Sequence, residues 1–450
     1  MSAPEAATAT TAARTSRRAL LTVVAVVFID LLGFGVVIPI LPFYVRSFGV
    51  SDVYIGLLAA SYSLAQFLFA PLFGRLSDRR GRRPVITLSL AGSAVAWIVF
   101  GFAAEVSAFF GLTAGLAALF LSRTLAGAMG GNLAAAQAYV ADITPPERRA
   151  GALGLVGASF GLGFVFGPAI GGLFASEPVV AAADRLFPAF VPATTFSLPS
   201  FAAAGLSLLS LGFAAAFLVE PERRHGPDAR TTFVEGFAAA LRDANLRGLV
   251  AAFFLASVAF SGIQVMFIPY AADVYGYDAT QTAFLLTYVG VLGVINQGVL
   301  VGRLSRRYGE QRVAVAGAAT LLVALAGLPF SPFVGRLLPP LSSILAPLPF
   351  LSRELLALLV ALALLSLGNG LLNVALSTLV STAASADAQG SAFGVTQGAG
   401  SLGRTVGPPA MAALYVAAYW SPFVSGAVLV VPIVAILAGL ARRGGSPSAG

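Results

Sequence analysis

Two ionisable side chains, Asp30 and Arg123, lie near the centres of long hydrophobic stretches of this 450-residue chain. If those stretches cross a bilayer, both groups fall close to the midplane, where a charged side chain is costly and usually serves a function. A carboxyl at that depth can take up and release a proton, and opposite charges at matched depth reduce each other's burial cost. If protons drive the activity of this chain, Asp30 is the candidate titrating group for proton coupling and Arg123 is its partner. The alternatives are a structural carboxyl paired within the helix bundle and an arginine that snorkels to the interface.

Other polar side chains fall at membrane depth, mostly in the later part of the chain. Two residues separate Arg404 from a Gly-Pro pair, and Arg404 either balances charge or contacts a substrate. The amide side chains at depth are candidate cavity contacts, although a hydrogen bond between helices is the competing explanation for any one of them. The predicted substrate cavity comprises Asp30, Arg123, Gln264, Asn296, Gln297, Asn369, Asn373 and Arg404.

The composition excludes several kinds of site. The chain has no cysteine and one histidine, His225, so we expect neither a metal nor a cofactor. All 27 basic residues are arginine, and without lysine a Walker phosphate loop cannot form. The acids do not cluster as a membrane enzyme would require, and no filter or charged ring typical of a channel is found. The net charge of +8 is dispersed through apolar sequence, which argues against a nucleic-acid partner.

The elements that must position these residues are membrane-spanning helices. Hydrophobic residues make up 58% of the chain and the mean hydropathy is +0.89. Charged residues make up 10% of the chain, against about 25% in a soluble domain. A span needs about 20 mostly apolar residues. That criterion predicts twelve spans, at 19–45, 53–73, 84–104, 112–139, 151–174, 199–219, 247–271, 281–301, 313–333, 355–380, 391–416 and 420–440. Two apolar segments dense in proline, 175–198 and 334–354, are predicted to be loops.

The distribution of arginine orients these spans. An even number of spans places both termini on one side, and 21 arginines fall on that side against four on the other. Because arginine is enriched in cytoplasmic loops, we expect a multi-pass protein of a bacterial inner membrane with both termini cytoplasmic.

The two halves of the chain resemble each other. Gly74-Arg-Leu-Ser recurs as Gly302-Arg-Leu-Ser after 228 residues, and Gly167-Pro168 recurs as Gly407-Pro408 after 240 residues. A single insertion in the second proline-rich loop explains the change in offset. Parallel repeats of six spans are a recurrent transporter architecture, with the substrate site at the midplane between halves. We therefore predict an all-α integral membrane protein whose two six-helix bundles are related by a pseudo-two-fold axis. The predicted order is a disordered tail (1–18), a first bundle (19–219), a cytoplasmic linker (220–246), a second bundle (247–441) and a tail (442–450).

The short cytoplasmic loop between spans 2 and 3 has an unusual spacing of glycine, acid and arginine. Its sequence from Gly74 to Pro84 is Gly-Arg-Leu-Ser-Asp-Arg-Arg-Gly-Arg-Arg-Pro. A positive cytoplasmic face explains the arginines but not the spacing. The second copy carries Arg306 where the first carries Asp78. The candidate gating residues are Gly74, Asp78, Arg79, Gly81, Arg82 and Arg83.

Span 5 is rich in glycine and ends in Gly-Pro-x-x-Gly-Gly. Small residues at such spacing allow helices to pack closely, which is the structural explanation for any one of them. The candidate motif residues are Gly163, Gly167, Pro168, Gly171 and Gly172.

These motifs together resemble those of the major facilitator superfamily, over about residues 17–443. The loop from Gly74 is similar to the family's signature loop, in which an Asp and an Arg latch the two halves on the cytoplasmic side. The segment from Asp30 to Pro42 and the Arg-x-x-Gly-Pro element at Arg404 are similar to the tetracycline-efflux branch of the drug/proton antiporters. Arg123 with its following glycines resembles a span-4 motif associated with proton transfer. The end of span 5 resembles a motif of antiporters that uptake symporters generally lack. Arg306 and the two long loops depart from the family, and Arg306 makes the latch one-sided.

The resemblance implies a secondary active transporter that exports a drug-like or amphiphilic small molecule by proton antiport with alternating access. Its expected partners are the small-molecule substrate, protons and membrane lipid, and we expect a monomer without enzymatic activity. The alternatives are a proton-coupled uptake symporter or uniporter for a sugar or an organic anion, and, ranked lower, a membrane protein that does not transport.

Overall fold

The computed structural model describes residues 3–130, 132–188, 190–221, 244–339, 352–383 and 389–444. The regular structure of these residues is helical. In the first half of the chain the helices are α1 (Ala3–Val37), α2 (Leu41–Ser47), α3 (Val53–Arg80), α4 (Arg82–Gly101), α5 (Ala103–Phe110), α6 (Leu112–Met129), α7 (Asn132–Ile143), α8 (Pro146–Phe174), α9 (Glu177–Leu186) and α10 (Ser197–Phe217).

The second half begins with α11 (Ala244–Tyr275) and α12 (Ala279–Ile295). A π-helical segment (Asn296–Leu300) then joins α12 to the next helix. The remaining elements are α13 (Val301–Tyr308), α14 (Glu310–Gly327), a 3-10 turn (Leu328–Phe330), α15 (Ser331–Leu337), α16 (Arg353–Ala383), α17 (Gln389–Ala417) and α18 (Ser421–Gly444).

Eleven helices within the described residues are long and apolar enough to cross a membrane. They coincide with eleven of the twelve predicted spans. The twelfth, predicted at 391–416, corresponds to α17, which is long enough but carries Arg404, glycine and hydroxyl residues that lower its hydropathy. Large apolar side chains such as Leu68 and Leu121 are 54% and 61% exposed on these helices. The fold is therefore that of an all-α membrane protein.

Several boundaries differ from those expected. Helix α1 begins at Ala3, so the segment predicted to be a disordered tail is helical; its alanines are the strongest helix formers. The predicted first span, 19–45, is divided because α1 ends before Pro39 and α2 follows a turn. The predicted loop 175–198 contains the short helix α9, and α15 begins before the other predicted loop, 334–354, and ends within it. Most of the predicted linker, 220–246, lies outside the described residues.

The chain divides into two compact units. The first comprises Met1–Val50, Ser61–Asp228 and Tyr277–Thr287, and the second comprises Ser51–Ala60, Ala229–Gly276 and Tyr288–Gly450. The units therefore differ from the sequential halves by two short exchanged segments.

The two units use the same helix pairings. In the first, α1 packs against α8 and α10, and α4 packs against α6 and α10. In the second, α11 packs against α17 and α18, and α14 packs against α16 and α18. These are equivalent spans of the two halves, so the internal repeat seen in the sequence extends to the packing within each unit.

Candidate functional site

A sharp turn at Gly81 joins α3 to α4 and sets the geometry of the signature loop. Gly81 has φ +108°, a conformation that side-chain-bearing residues rarely adopt. A Cβ atom at this position would lie 2.7 Å from Oε1 of Glu220, so the turn also requires the space that glycine leaves. Gly74, about two turns earlier on α3, has no such neighbour within 4 Å.

Arg82, the first residue of α4, forms ion pairs with two acidic side chains. Its Nη1 lies 2.5 Å from Oδ1 of Asp78, and its Nε donates to Oδ2 of Asp142 at 2.9 Å. The Arg82 side chain is 17% exposed and that of Asp142 is 23% exposed, whereas Asp78 is 63% exposed. The structure thus places Asp78 and Arg82 in contact within the loop, and Asp142 joins them from the end of α7. Arg79 is exposed on the last turn of α3.

Glu220 fixes the start of α4 from the end of α10. Its two carboxylate oxygens accept the backbone N–H groups of Arg82 and Arg83 at 2.6 and 2.9 Å. A carboxylate at a helix N-terminus satisfies unpaired N–H groups and faces the positive end of the helix dipole. Arg83 in turn donates from Nη2 to the carbonyl oxygen of Ala215 at 2.7 Å, so the loop is tied to α10 twice.

The structure does not bring Asp30 and Arg123 into an ion pair. Asp30 is half-buried on α1 and interacts with other groups. Arg123 is 5% exposed on α6, and its Nε and Nη2 atoms have no hydrogen-bond partner within the described part of the chain. The guanidinium carbon lies 4.4 Å from the ring centroid of Trp97, 5.0 Å from that of Phe100 and 6.0 Å from that of Tyr62.

The glycines at the end of span 5 bring α8 against α1, just beyond Asp30. A Cβ on Gly35 would lie 2.7 Å from the carbonyl oxygen of Gly163 and 2.9 Å from Cα of Gly167. A Cβ on Gly163 would lie 2.9 Å from Cβ of Leu31, the residue that follows Asp30. The two backbones can approach this closely only because both helices carry glycine there.

The remaining residues of the span-5 motif, Pro168, Gly171 and Gly172, lie further along α8. Gly171 packs against Val36 of α1, and a Cβ on Gly35 would lie 3.5 Å from Cδ of Pro168. The carbonyl oxygen of Gly172 accepts a hydrogen bond from Oγ1 of Thr280 at 3.2 Å.

In the second unit, four predicted cavity residues lie together where α16 passes the π-helical segment. Nδ2 of Asn373 donates to Oδ1 of Asn369 at 2.7 Å. Asn296 is 9% exposed and contacts Oγ of Ser366 at 3.4 Å. A Cβ on Gly370, next to Asn369, would lie 3.5 Å from Cγ of Gln297 and 3.7 Å from Cβ of Asn296. A π-helical turn inside a span often marks a functional site.

An apolar cavity of about 390 Å³ adjoins this amide cluster, between α12 and α16. Its walls are mainly leucine, and its polar groups are Tyr288 and Asn296. The other two predicted cavity residues of this unit lie on different helices: Gln264 is exposed on α11, and Arg404 on α17 donates from Nη2 to Oγ of Ser401 at 2.9 Å.

Sequence reasoning missed Asp142 and Glu220. Each is an acid at the end of a hydrophobic stretch, and that position was the one feature of the sequence that could have identified them as functional residues. Their partners are 60 and 138 residues away in the chain, so local spacing did not connect them to the loop.

Comparison with known proteins places these features in a family. The family model described as Major Facilitator Superfamily matches residues 23–349. The tetracycline resistance protein, class C, of Escherichia coli is 30% identical over 408 residues, which cover 89% of this chain and 91% of that protein. Major facilitator superfamily domain-containing protein 10 of Bos taurus is 30% identical over 443 residues, covering 87% of each. The crystal structure of the human organic anion transporter MFSD10 (TETRAN) has the same fold, with a TM-score of 0.63 and 24% identity, and covers 94% of this chain and 99% of that chain.

Proposed function

Because this chain belongs to the major facilitator superfamily of transporters, we propose that it exports a drug-like or amphiphilic small molecule by proton antiport with alternating access. The similarity to tetracycline resistance proteins over most of both chains supports this substrate class. A bacterial inner membrane with both termini cytoplasmic is the proposed location, and the monomer is the proposed functional unit.

The observation that carries the proposal is the contact between α8 and α1. The glycines of the antiporter motif, Gly163 and Gly167, lie against the stretch of α1 that begins with Leu31. Asp30 immediately precedes that stretch. A shift of α8 along this glycine contact would therefore move the surroundings of the carboxyl, and a change in surroundings is what changes the proton affinity of a carboxyl.

The second unit supplies groups suited to an amphiphilic ligand. The cluster of Asn296, Gln297, Asn369 and Asn373 offers amide donors and acceptors, and the adjoining cavity is mainly apolar. Ligand sites commonly combine an apolar lining with a few polar groups that fix orientation. We propose that these amides orient the substrate, and that Gln264 and Arg404 contribute from neighbouring helices.

The signature loop supplies a gate. Arg82 joins α4 to α3 through Asp78 and to α7 through Asp142, so the ends of three helices are held by one guanidinium. We propose that breaking and remaking these pairs accompanies the exchange between inward-open and outward-open states, with Gly74, Arg79 and Arg83 shaping the loop.

The test uses purified protein in vesicles with an imposed pH gradient and tetracycline as the first probe, followed by a panel of amphiphilic drugs. Wild-type protein should concentrate at least one probe when protons flow in the opposite direction. Asp30→Asn should abolish this concentration while retaining exchange of labelled for unlabelled probe at equal pH. If Asp30→Asn still concentrates the probe, the coupling site lies elsewhere. If protons and probe move in the same direction, the uptake symporter replaces the antiporter.

The proposed orientation has its own test. A reporter that is active only in the periplasm should stay silent when fused after Pro227, because six spans precede it. Activity of that fusion would overturn the arrangement of six spans on each side of the linker.

A further inference from the structure

The first unit contains a buried cation that forms no ion pair with any described residue. Arg123 is 5% exposed, and no carboxylate pairs with it among the described residues. Burying a guanidinium without compensation carries a large desolvation cost, because the charge loses its contacts with water. Some other group must therefore stabilise this charge.

Three aromatic rings do so. Trp97 and Phe100 stand one turn apart on α4 and are 3% and 0% exposed, and Tyr62 approaches from α3. The shortest distance, 4.4 Å, is to Trp97. A cation over an aromatic face is attracted by the ring quadrupole, most strongly by tryptophan and most effectively where water is excluded. We call Tyr62, Trp97 and Phe100 the aromatic cage.

The cage leaves the hydrogen-bonding capacity of Arg123 unused. Its Nε and Nη2 atoms have no acceptor, and these atoms are part of the fork that binds a carboxylate with two parallel bonds. Cation–π contact stabilises the charge without occupying the N–H groups. Arg123 can thus bind a carboxylate without first breaking another hydrogen bond.

We infer that Trp97 is a positioning residue: it stabilises the charge of Arg123 while leaving its Nε and Nη2 groups without an acceptor. A carboxylate then binds Arg123 in only part of the transport cycle. This inference rests on the proposed function. The carboxylate comes either from Asp30 or from an acidic substrate, and both sources present the same chemistry to the guanidinium. Without the cage, the uncompensated charge would seek an acceptor in every state, and coupling between proton and substrate would be lost.

The transport test compares two substitutions of Trp97. Trp97→Met keeps much of the volume but removes the ring, whereas Trp97→Phe keeps a ring. We expect Trp97→Met to lower gradient-driven concentration of tetracycline about tenfold, with equal-pH exchange changed less than about twofold, and Trp97→Phe to restore most of the loss. Trp420→Phe is the matched control, because Trp420 is 42% exposed and is the only other tryptophan of the chain.

A spectroscopic test follows the cage itself. In the Trp420→Phe protein, Trp97 is the sole indole, and Arg123→Leu should shift its emission maximum because the cation is gone. Adding tetracycline should shift the emission of the Arg123 protein beyond any change seen in the Arg123→Leu protein, which corrects for absorption by the probe. Persistence of that shift in Asp30→Asn shows that an acidic group of the probe binds Arg123, and its loss identifies Asp30 as the source of the carboxylate.

Failure of the inference and failure of the proposed function give different results. If wild-type protein concentrates tetracycline and Trp97→Met does so equally well, the cage is packing alone and the inference is wrong. If wild-type protein concentrates no probe, the proposed function fails, and the emission of Trp97 then decides the inference. An emission maximum that is the same with Arg123 and with Leu at position 123 overturns the cage.

Discussion

The two copies of the signature loop, residues 74–84 and 302–312, share a backbone and differ in chemistry. Gly81 and Gly309 both have positive φ, +108° and +80°, and each caps the start of the following helix with ψ near 155° (158° and 151°). At two positions around this turn, the side chains of the two copies carry opposite charges. Asp78 and Arg82 of the first loop correspond to Arg306 and Glu310 of the second.

The surroundings differ as well. The first loop receives Asp142 from α7 and Glu220 from the segment that follows α10, whereas Arg306 and Glu310 form no ion pair within the described part of the chain. Arg307 instead stacks beside Tyr308, at 5.4 Å from its ring centroid. In both loops glycine specifies the backbone turn. Only in the first loop do acids from distant parts of the chain form an ionic junction with it.

The largest effect is expected when the centre of that junction is removed. Arg82→Gln loses the ion pairs with Asp78 and Asp142 together and leaves two acids beside each other. We expect transport to fall by at least about tenfold, the change that ~1.4 kcal/mol produces in the ratio of two states. The matched control is Glu310→Gln in the second loop, which should stay within about twofold. Equal losses in vesicle transport would show that the two loops are functionally equivalent.

Alanine substitutions of the two glycines separate the contribution of the backbone turn from that of the ionic junction. Alanine at Gly81 and alanine at Gly309 both force a side chain into positive φ, at a cost of about 1 kcal/mol each. Gly81→Ala should cost more, because its Cβ would also meet the carboxylate of Glu220. Thermal unfolding in detergent measures the difference, and a larger loss for Gly309→Ala would contradict this account.

Asp78→Asn should have a smaller effect than Arg82→Gln. It removes one of two ion pairs, and the 63% exposure of Asp78 means that water screens this pair. We expect about a fivefold loss of transport with normal insertion and folding, from a bias in the equilibrium between inward-open and outward-open states. Asp142→Asn, at the more buried partner, should lose at least as much. Unchanged transport in both variants would reduce the loop to a signal for membrane topology.

The smallest effect is expected at the helix cap. Glu220→Gln keeps the size and one acceptor oxygen but removes the charge that faces the N-terminus of α4. A loss of about 0.5–1 kcal/mol in stability is typical for such a change. Glu310→Gln provides the comparison at the start of α14, and the two melting temperatures measure whether the cap from α10 adds stability that the second loop lacks.

Most of the fold could be predicted from the sequence because the bilayer imposes the same constraints on every span. These constraints set the length of each hydrophobic stretch and the placement of arginine in the loops. The span predicted at 391–416 corresponds to α17, where packing glycines and Arg404 replace apolar side chains and lower the hydropathy. The sequence also placed Asp30 and Arg123 at matched depth but could not fix the direction in which each helix presents them. The rings of Trp97 and Phe100 occupy the face of α4 that Arg123 meets.

The candidate site was anticipated only where its parts are local. Asp78 and Arg82 were both identified by their spacing at one helix junction, although not as a pair, whereas Asp142 and Glu220 reach the loop through tertiary packing. The π-helical segment at Asn296, which lies beside α16, was not predicted from the sequence.

That π-helical segment divides the span from Ala279 to Tyr308 into two pieces with different rotational registers. A π-turn accommodates one residue more than an α-turn, so every residue after Leu300 is rotated by about 100° from its place in an uninterrupted helix. Deleting one residue within Asn296–Leu300 would restore the regular helix and turn the arginine-bearing end, α13, by that angle. The π-helical segment thus fixes the angle between the face that the first piece of the span presents and the face that α13 presents.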